Sequence, residues 1–123
     1  MNVWTVEFAP EFEPELQTLS VEVRIELLAH VRVIEVFGPA AKRPRIDTLK
    51  GSKHPNMKEL RFDADKGVWR VAFAFDPERK AVLLAAGDKS GGSERAFYRR
   101  LIAIADRRFD AHLGRLKARR ARK

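Results

Sequence analysis

Residues 49–89 read LKGSKHPNMKELRFDADKGVWRVAFAFDPERKAVLLAAGDK, and this stretch decides the fold of the chain. It contains three strand-like runs, KELRF, VWRVAFAF and KAVLLAAG, which two short turns separate. The turns are Asp65-Lys66-Gly67 and Asp76-Pro77-Glu78-Arg79, and turns of this composition connect neighbouring antiparallel strands. The sequence therefore predicts two consecutive hairpins, preceded by a loop rich in cations.

The middle strand separates one arginine from a row of large apolar side chains. Arg70 alternates with them and shares its face with two alanines, whereas the other face carries Trp69, Val71, Phe73 and Phe75. Side chains of a strand point alternately to the two faces of the sheet. Because its neighbours on that face are small, we expect room for a ligand above Arg70.

A two-residue turn at residues 65–66 fixes the register of the first hairpin. It pairs two sets of apolar residues, Phe62 with Trp69 and Leu60 with Val71, and it sets Arg61 directly opposite Arg70. Two adjacent guanidinium groups are unfavourable unless an anion lies near them. The register therefore predicts either local carboxylates or a bound anion at this arginine pair.

Both explanations of the arginine pair are open from the residues alone. Glu59 and Asp63 lie two residues either side of Arg61 and can neutralise it. A bound anion accounts better for the other cationic residues at the ends of the same strands, which are Lys50, Lys53, His54, Lys58 and Lys89.

Length and composition indicate one globular domain. The chain has 123 residues, 45% of them hydrophobic and 34% charged, which is enough to bury a core without disulfides. It has no cysteine, no apolar run long enough for a membrane helix and no signal-peptide pattern at the N-terminus. These features predict a cytoplasmic protein that does not bind membranes.

Charge is distributed unevenly along the chain. Residues 1–41 carry a net charge of −5, whereas residues 42–123 carry +13, which gives +8 overall. An excess of cations in one segment is typical of a surface that binds a polyanion. Nucleic acid is the first expectation, and an acidic protein partner is an alternative.

Three helices and one further strand are predicted outside residues 49–89. Ser20 and Ser93 are suitable N-caps for the second and third helices, and Gly38-Pro39 is a strong stop. A basic loop at residues 40–46 leads into Asp47. The predicted elements are a strand at Val3–Phe8, a short helix at Glu11–Leu19, a helix that ends at Gly38, and a helix from Glu94.

The last helix carries a broad apolar stripe that must pack on the sheet. Tyr98 lies in its first turns, so its hydroxyl is expected to emerge over the face of Arg70. The domain is predicted to end near Leu113. Residues 114–123 form a basic tail, which is expected to add affinity for RNA or an acidic partner.

The sequence lacks the motifs of several common kinds of catalytic and binding site. The histidines at positions 30, 54 and 112 show no metal-ligand spacing, and we predict neither a metal nor a cofactor. There is no glycine-rich phosphate loop, nucleophile elbow or cysteine nucleophile.

Metal-independent cleavage of RNA remains possible, because RNA carries its own nucleophile, the 2′-hydroxyl. The protein then needs cations for the charge that develops on the phosphate and groups that transfer protons. Arg61 and Arg70 are candidates for binding the phosphate. Tyr98 is a candidate for proton transfer or for stacking on a base. Binding of RNA or DNA without catalysis uses the same residue types, and the residues alone favour it over catalysis. The cations expected around the phosphate are Lys53, His54, Lys58 and Lys89.

The motifs LKG, KELRF, WRVAF and VLLAAGDK, followed by a helix, resemble RelE/HigB-type toxins of bacterial toxin–antitoxin modules, closest to the phage-derived HigB-like branch. The resemblance implies an α+β fold in which N-terminal helices and a C-terminal helix pack on a twisted, mainly antiparallel sheet of about four strands. It spans residues 1–113. Members of this family are typically ribosome-dependent mRNA endonucleases that need no metal and are inhibited by an antitoxin, often a helix-turn-helix protein.

The resemblance also implies roles for individual residues. Arg70 matches the family's phosphate-stabilising arginine, Arg61 matches a recurring position, and Lys89 lies where catalytic groups follow the last strand. His54 falls, with Lys50, Lys53 and Lys58, in or beside a loop that supplies basic residues for catalysis or RNA binding. SGGS after Lys89 departs from the family pattern and leaves the general acid and base unassigned. A gyrase-inhibiting toxin of the ParE kind is an alternative with the same fold.

Overall fold

A five-stranded sheet with one long helix on each face forms the core of the computed structural model. The structure describes residues 4–122, so Val3, the expected start of the first strand, lies outside the described residues. The elements are β1 (Thr5–Phe8), α1 (Glu13–Leu16), α2 (Val21–Phe37), a 3₁₀ turn (Gly38–Ala40), β2 (Ile46–Thr48), β3 (Met57–Ala64), β4 (Gly67–Phe75), β5 (Lys80–Asp88) and α3 (Glu94–Ala121).

The strand order is β1-β5-β4-β3-β2, and every neighbouring pair is antiparallel except β1 with β5. The predicted α+β class and mainly antiparallel sheet are therefore confirmed. The sheet has five strands instead of about four, because β2 forms at the end of the predicted loop of residues 40–46 and in the two residues after it, where no strand was predicted. β2 has only three residues, too few to show an alternating pattern, and it forms by pairing Ile46 with Leu60 and Thr48 with Lys58.

The predicted register of the β3–β4 hairpin is confirmed. Arg61 pairs with Arg70, and the two apolar pairs lie beside them as expected. Asp65 and Lys66 have φ angles of 50° and 61°. Positive φ at both central residues is the geometry of a type I′ turn, whose twist matches that of the strands it joins.

Serine caps begin both long helices as predicted. Ser20 accepts a hydrogen bond from the backbone N–H of Val23 at 3.3 Å, and Ser93 accepts one from Ala96 at 3.2 Å. α1 is shorter than predicted and spans Glu13–Leu16, because the chain after it continues as tight turns, in which Thr18 and Leu19 bond to carbonyls three residues before them.

The alternation of β3 assigns one helix to each face of the sheet. Arg61 and Glu59 point toward α3, where Tyr98 contacts Glu59. Phe62 points the other way and packs on His30 of α2, with 5.1 Å between ring centroids. Fully buried side chains from both helices, including Leu27, Ile34 and Phe109, complete the core.

The basic segment after Leu113 continues α3. The helix runs to Ala121, Leu116 is buried, and Arg119 and Arg120 each lie 3.7 Å from the carboxylate of Glu78. Residues 114–121 are thus part of the folded domain: two ion pairs link them to the β4–β5 turn, and the side chain of Leu116 is buried. None of the helices in residues 4–122 is long and apolar enough to span a membrane.

We predict opposite effects for two glycine-to-alanine substitutions. Gly38 ends α2 with φ 55°, and a Cβ atom there would overlap the indole of Trp4, whereas Gly114 is helical and faces open space. Gly38→Ala should lower the free energy of unfolding by roughly 1–3 kcal/mol, and Gly114→Ala should raise it by about 0.5–1 kcal/mol. Urea denaturation measures both, and equal effects would contradict the assigned geometries.

Candidate active site

A polar pocket of about 320 Å³ lies where β2, β3 and the first turns of α3 meet. Lysine and arginine side chains from three segments converge on it, together with carboxylates and one phenol. The lining residues are Arg43, Asp47, Thr48, Leu49, Lys50, Glu59, Arg61, Lys89, Glu94 and Tyr98.

A buried hydrogen-bond network forms the floor of this pocket. The Tyr98 hydroxyl donates to Oε1 of Glu59 at 2.8 Å and accepts from Nε of Arg70 at 3.2 Å. Arg70 also lies 3.6 Å from Glu59 and donates to the Trp69 carbonyl at 2.9 Å. Glu59 and Arg70 are only 5% and 6% exposed, so each compensates the buried charge of the other.

The expectation of open space above Arg70 is wrong. Tyr98 of α3 lies on that face, and Ala72 and Ala74 beside Arg70 are both completely buried. The small side chains make room for α3 instead of a ligand. Arg70 therefore lies beneath the pocket and contacts the Tyr98 hydroxyl from below.

Burial governs the protonation of the floor. It raises the pKa of Glu59 above its usual value, although the Tyr98 hydroxyl and the guanidinium groups of Arg61 and Arg70 favour the ionised form. Burial, with the hydrogen bond to Glu59, also raises the pKa of Tyr98. Tyr98 therefore remains a protonated donor, and Glu59 is a better proton acceptor than an ordinary glutamate.

Arg61 is the member of the arginine pair that reaches the pocket. Its side chain is 26% exposed and lies 3.7 Å from Asp47 and 3.8 Å from Glu59. Of the two carboxylates expected to neutralise it, Glu59 does so, whereas Asp47 of β2 replaces Asp63, which is exposed and forms no ion pair among the described residues. The replacement follows from β2, which the sequence did not reveal.

Lys50 and Lys89 supply two further cations to the rim. Lys89 contacts the carboxylate of Glu94 and lies 5.9 Å from the centre of the Tyr98 ring. The hydrogen bond from Lys89 lowers the pKa of Glu94, which keeps this carboxylate ionised. Lys50 is exposed and forms no ion pair within residues 4–122. Together with Arg43 and Arg61, these residues give the pocket that Tyr98 lines four cationic side chains.

The structure does not bring the other predicted cations into this pocket. Lys53 and His54 both contact Asp110, at 2.5 and 2.9 Å, about 18 Å along α3 from Tyr98. Lys58 shares the opposite face of β3 with Leu60 and donates to the Thr48 hydroxyl at 3.1 Å.

Two carboxylates of α3 that the sequence interpretation missed hold the basic loop. Asp106 accepts from the Ser52 hydroxyl at 2.5 Å and from the Lys53 backbone N–H at 3.2 Å, and Asp110 binds the side chains of Lys53 and His54. Their i,i+4 spacing in an otherwise basic helix was the available signal. By anchoring this loop, they fix the position of Lys50 at the rim.

One group of possible metal ligands occurs among the described residues, far from the pocket. The ligand atoms of Glu7, Asp76 and His112 lie within 4.8 Å of one another. Asp76 already has three hydrogen-bond partners, because it bonds His112 at 2.8 Å and accepts the backbone N–H groups of Glu78 and Lys80. Their separation in sequence explains why spacing gave no sign of them. We interpret the Asp76–His112 pair as a structural link between the turn and α3.

Comparison with known proteins identifies the family. Residues 14–110 match the family described as phage derived protein Gp49-like (DUF891). The chain belongs to this family. The resemblance to phage-derived, HigB-like toxins predicted from the sequence is therefore confirmed.

Two proteins of Mycobacterium tuberculosis (strain ATCC 25618 / H37Rv) are similar to this Gp49-like chain. "Putative toxin HigB2" is 44% identical over 88 residues, which cover 71% of this chain and 43% of that protein. "Putative toxin HigB3" is 38% identical over 99 residues, which cover 80% of this chain and 84% of that protein. The chain thus spans less than half of HigB2 and most of HigB3.

A solved structure supports the fold independently. A mutant of the E. coli toxin RelE in the free state superposes with a TM-score of 0.59 at 14% sequence identity, covering 82% of this chain and 95% of that chain. The Gp49-like chain therefore has the RelE fold, as predicted.

The raised pKa of Glu59 predicts a pH-dependent difference between the protein and its Glu59→Gln variant. Glu59 binds a proton more tightly in the folded state than at its ordinary pKa of 4.5, so its favourable contribution is complete below that pH. The contribution is lost as pH rises through the folded-state pKa. Thermal unfolding between about pH 4 and about pH 8 should show wild-type stability falling relative to Glu59→Gln.

Groups such as Asp110 and Glu15, whose pKa values are lowered, titrate in both proteins and cancel in this comparison. A difference that stays constant or rises with pH would contradict the burial of Glu59.

Proposed function

We propose that this Gp49-like protein is the toxin of a toxin–antitoxin module and cleaves ribosome-bound mRNA without a metal ion. Its similarity to two putative toxins supports the toxin assignment. The arrangement that supports the proposed activity is a pocket lined by Lys50, Arg61, Lys89 and Tyr98, in which the Tyr98 hydroxyl donates a hydrogen bond to the buried Glu59.

This arrangement suits transesterification at a phosphodiester. The 2′-oxygen attacks phosphorus as its proton passes to the Tyr98 oxygen and the Tyr98 proton passes to ionised Glu59. The P–O5′ bond breaks, and an ammonium group at the rim protonates the leaving oxygen. The products are a 2′,3′-cyclic phosphate and a 5′-hydroxyl, so the step needs neither a water molecule nor a metal ion as a reactant.

Each remaining residue has a role that its position allows. Arg61 stabilises negative charge on the pentacovalent phosphorus, and Lys89, whose ammonium group lies 5.9 Å from the centre of the Tyr98 ring, protonates the leaving oxygen. Arg70 is a positioning residue that orients Tyr98 and Glu59 from beneath. Lys50 binds the adjacent phosphate, whereas Lys53, His54 and Lys58 contact the RNA strand or the ribosome outside the pocket.

The proposed partners follow from the activity. The substrate is mRNA in the ribosome of the cytoplasm, and a cognate antitoxin, a helix-turn-helix protein, inhibits the enzyme. The basic segment at residues 114–123 adds general affinity for RNA. A ParE-like gyrase inhibitor and a non-catalytic nucleic-acid-binding domain need no proton-transfer network beneath the cations, so neither is favoured.

Arg61→Ala should reduce mRNA cleavage at least about 100-fold, because it removes a donor to the transition-state charge. The matched control is Arg107→Ala, which removes an exposed arginine on the outward face of α3 and should leave activity unchanged. Growth arrest on expression and primer-extension mapping of cut sites on translated mRNA measure the effect.

A folded Arg61→Ala protein that cleaves at the wild-type rate would remove Arg61 from the mechanism. Growth arrest by the wild-type protein without mRNA cleavage would contradict the nuclease proposal.

Salt should weaken binding of single-stranded RNA steeply. Each phosphate neutralised by a cation contributes a slope of about −0.7 to the dependence of log affinity on log salt concentration. Lys50→Ala should reduce the slope by about this amount, since Lys50 is exposed at the rim. Fluorescence anisotropy over a salt series measures it, and an affinity that does not vary with salt would contradict phosphate binding.

A further inference from the structure

The large hydrophobic side chains most exposed in residues 4–122 all belong to α2. Their exposed fractions range from 46% for Val36 to 60% for Ile25. Single exposed hydrophobic residues are ordinary, whereas a contiguous group on one helix marks a surface that contacts another molecule. The members of this group are Val21, Ile25, Leu28, Val36 and Phe37.

The exposed group is a second apolar face of the helix. Val21, Ile25 and Leu28 follow one another at intervals of four and three residues and form a line along the outer surface. The buried line, which includes Leu27 and Ile34, faces the sheet. A helix packed on only one side needs one apolar stripe, so the outer line requires another explanation.

The groove beside the N-terminal half of α2 is acidic. It has a volume of about 300 Å³, and Ile25 and Ala64 supply its apolar surface. The four remaining lining residues are all carboxylates, and no cation lines it. They are Glu22, Glu26, Asp63 and Asp65.

The groove beside the C-terminal end of α2 has the opposite charge. A pocket of about 310 Å³ is lined by apolar side chains, among them Val33 and Phe37, and its charged residues are Lys42 and Arg45. The distance from Ile25 to Phe37 along the helix axis is about 18 Å, or just over three turns. The α2 surface therefore has an apolar group near each end, with the exposed Arg32–Glu35 ion pair between them, and it is acidic at one end and basic at the other.

We propose that the α2 surface is the docking site for an amphipathic helix of another protein, with lysine or arginine at one end and carboxylates at the other. The cationic end lies over Glu22 and Glu26, and an apolar anchor enters the pocket beside Phe37. The acidic end faces Lys42 and Arg45. Charge complementarity fixes the orientation, and the length requires at least three helical turns.

This proposal is independent of the cleavage reaction. α2 packs on the face of the sheet opposite Tyr98, so an occupant of the α2 surface does not need to enter the polar pocket.

Two hydrocarbon-stapled, fluorescein-labelled helical peptides of 16 residues test the proposal. Both carry leucine at the same i, i+4, i+7 and i+11 positions; one has lysines in the first turn and glutamates in the last, and the other has these charges exchanged. The peptides therefore have identical composition, and either can lie on α2 in both directions. The discriminating measurement is which end of the bound peptide lies near Glu22.

A nitroxide label at the lysine end should broaden the amide NMR signals of Glu22 and Glu26, and a label at the glutamate end should broaden those of Lys42 and Arg45. Fluorescence anisotropy with Glu22→Lys should show at least about tenfold weaker binding, equivalent to 1.4 kcal/mol. The matched control is Glu13→Lys, which places the same charge change in the first turn of α1 and should leave affinity unchanged.

Three results would overturn the proposal. They are the absence of binding by both peptides, equal broadening at both ends of α2, and equal weakening by Glu13→Lys and Glu22→Lys. Analytical ultracentrifugation tests the remaining occupant: a dimer that Leu28→Glu dissociates would assign the surface to a second copy of this chain and also overturn the proposal.

Discussion

The hydrogen-bonded contact of Arg70, Glu59 and Tyr98 joins three elements, and the rest of the structure depends on it. Arg70 comes from β4, Glu59 from β3 and Tyr98 from α3. Arg70 and ionised Glu59 carry opposite charges, whereas Tyr98 is a neutral hydrogen-bond donor. A buried charge is tolerated only when its partners are in place. The network therefore fixes where the start of α3 lies over the sheet. It thereby forms the floor of the pocket.

The network also resolves the conflict between two neighbouring arginines. Both explanations drawn from the sequence contain part of the answer, because the two guanidinium groups have different roles. Arg70 is buried and pairs with Glu59. Arg61 keeps a quarter of its side chain exposed and lies near Asp47, which also pairs with Arg43. The two arginines lie directly opposite each other in the strand register, but Arg70 is buried and Arg61 is partly exposed. The asymmetry leaves one arginine able to contact a substrate.

Local patterns predicted the parts of the structure that local physics determines. The turn at residues 65–66 and the alternation of β4 sufficed for the register, and serine caps sufficed for the starts of α2 and α3. The error at Arg70 arose because small residues on a sheet face accommodate either a ligand or a helix. The spacing of Asp106 and Asp110 puts both on one face of α3, but which loop they contact, more than fifty residues away, depends on tertiary packing.

The burial that gives Glu59 its proposed chemical role also has a cost in stability. An exposed glutamate has too low a pKa to accept a proton effectively, and burial raises it. The same burial makes the ionised form, which the proposed reaction requires, less favourable in the folded protein. The guanidinium groups of Arg61 and Arg70 offset part of that cost, because both favour the ionised form. In the proposed reaction Arg70 therefore acts without touching RNA: it favours the ionised form of the buried base, while α3 holds Tyr98 against that base.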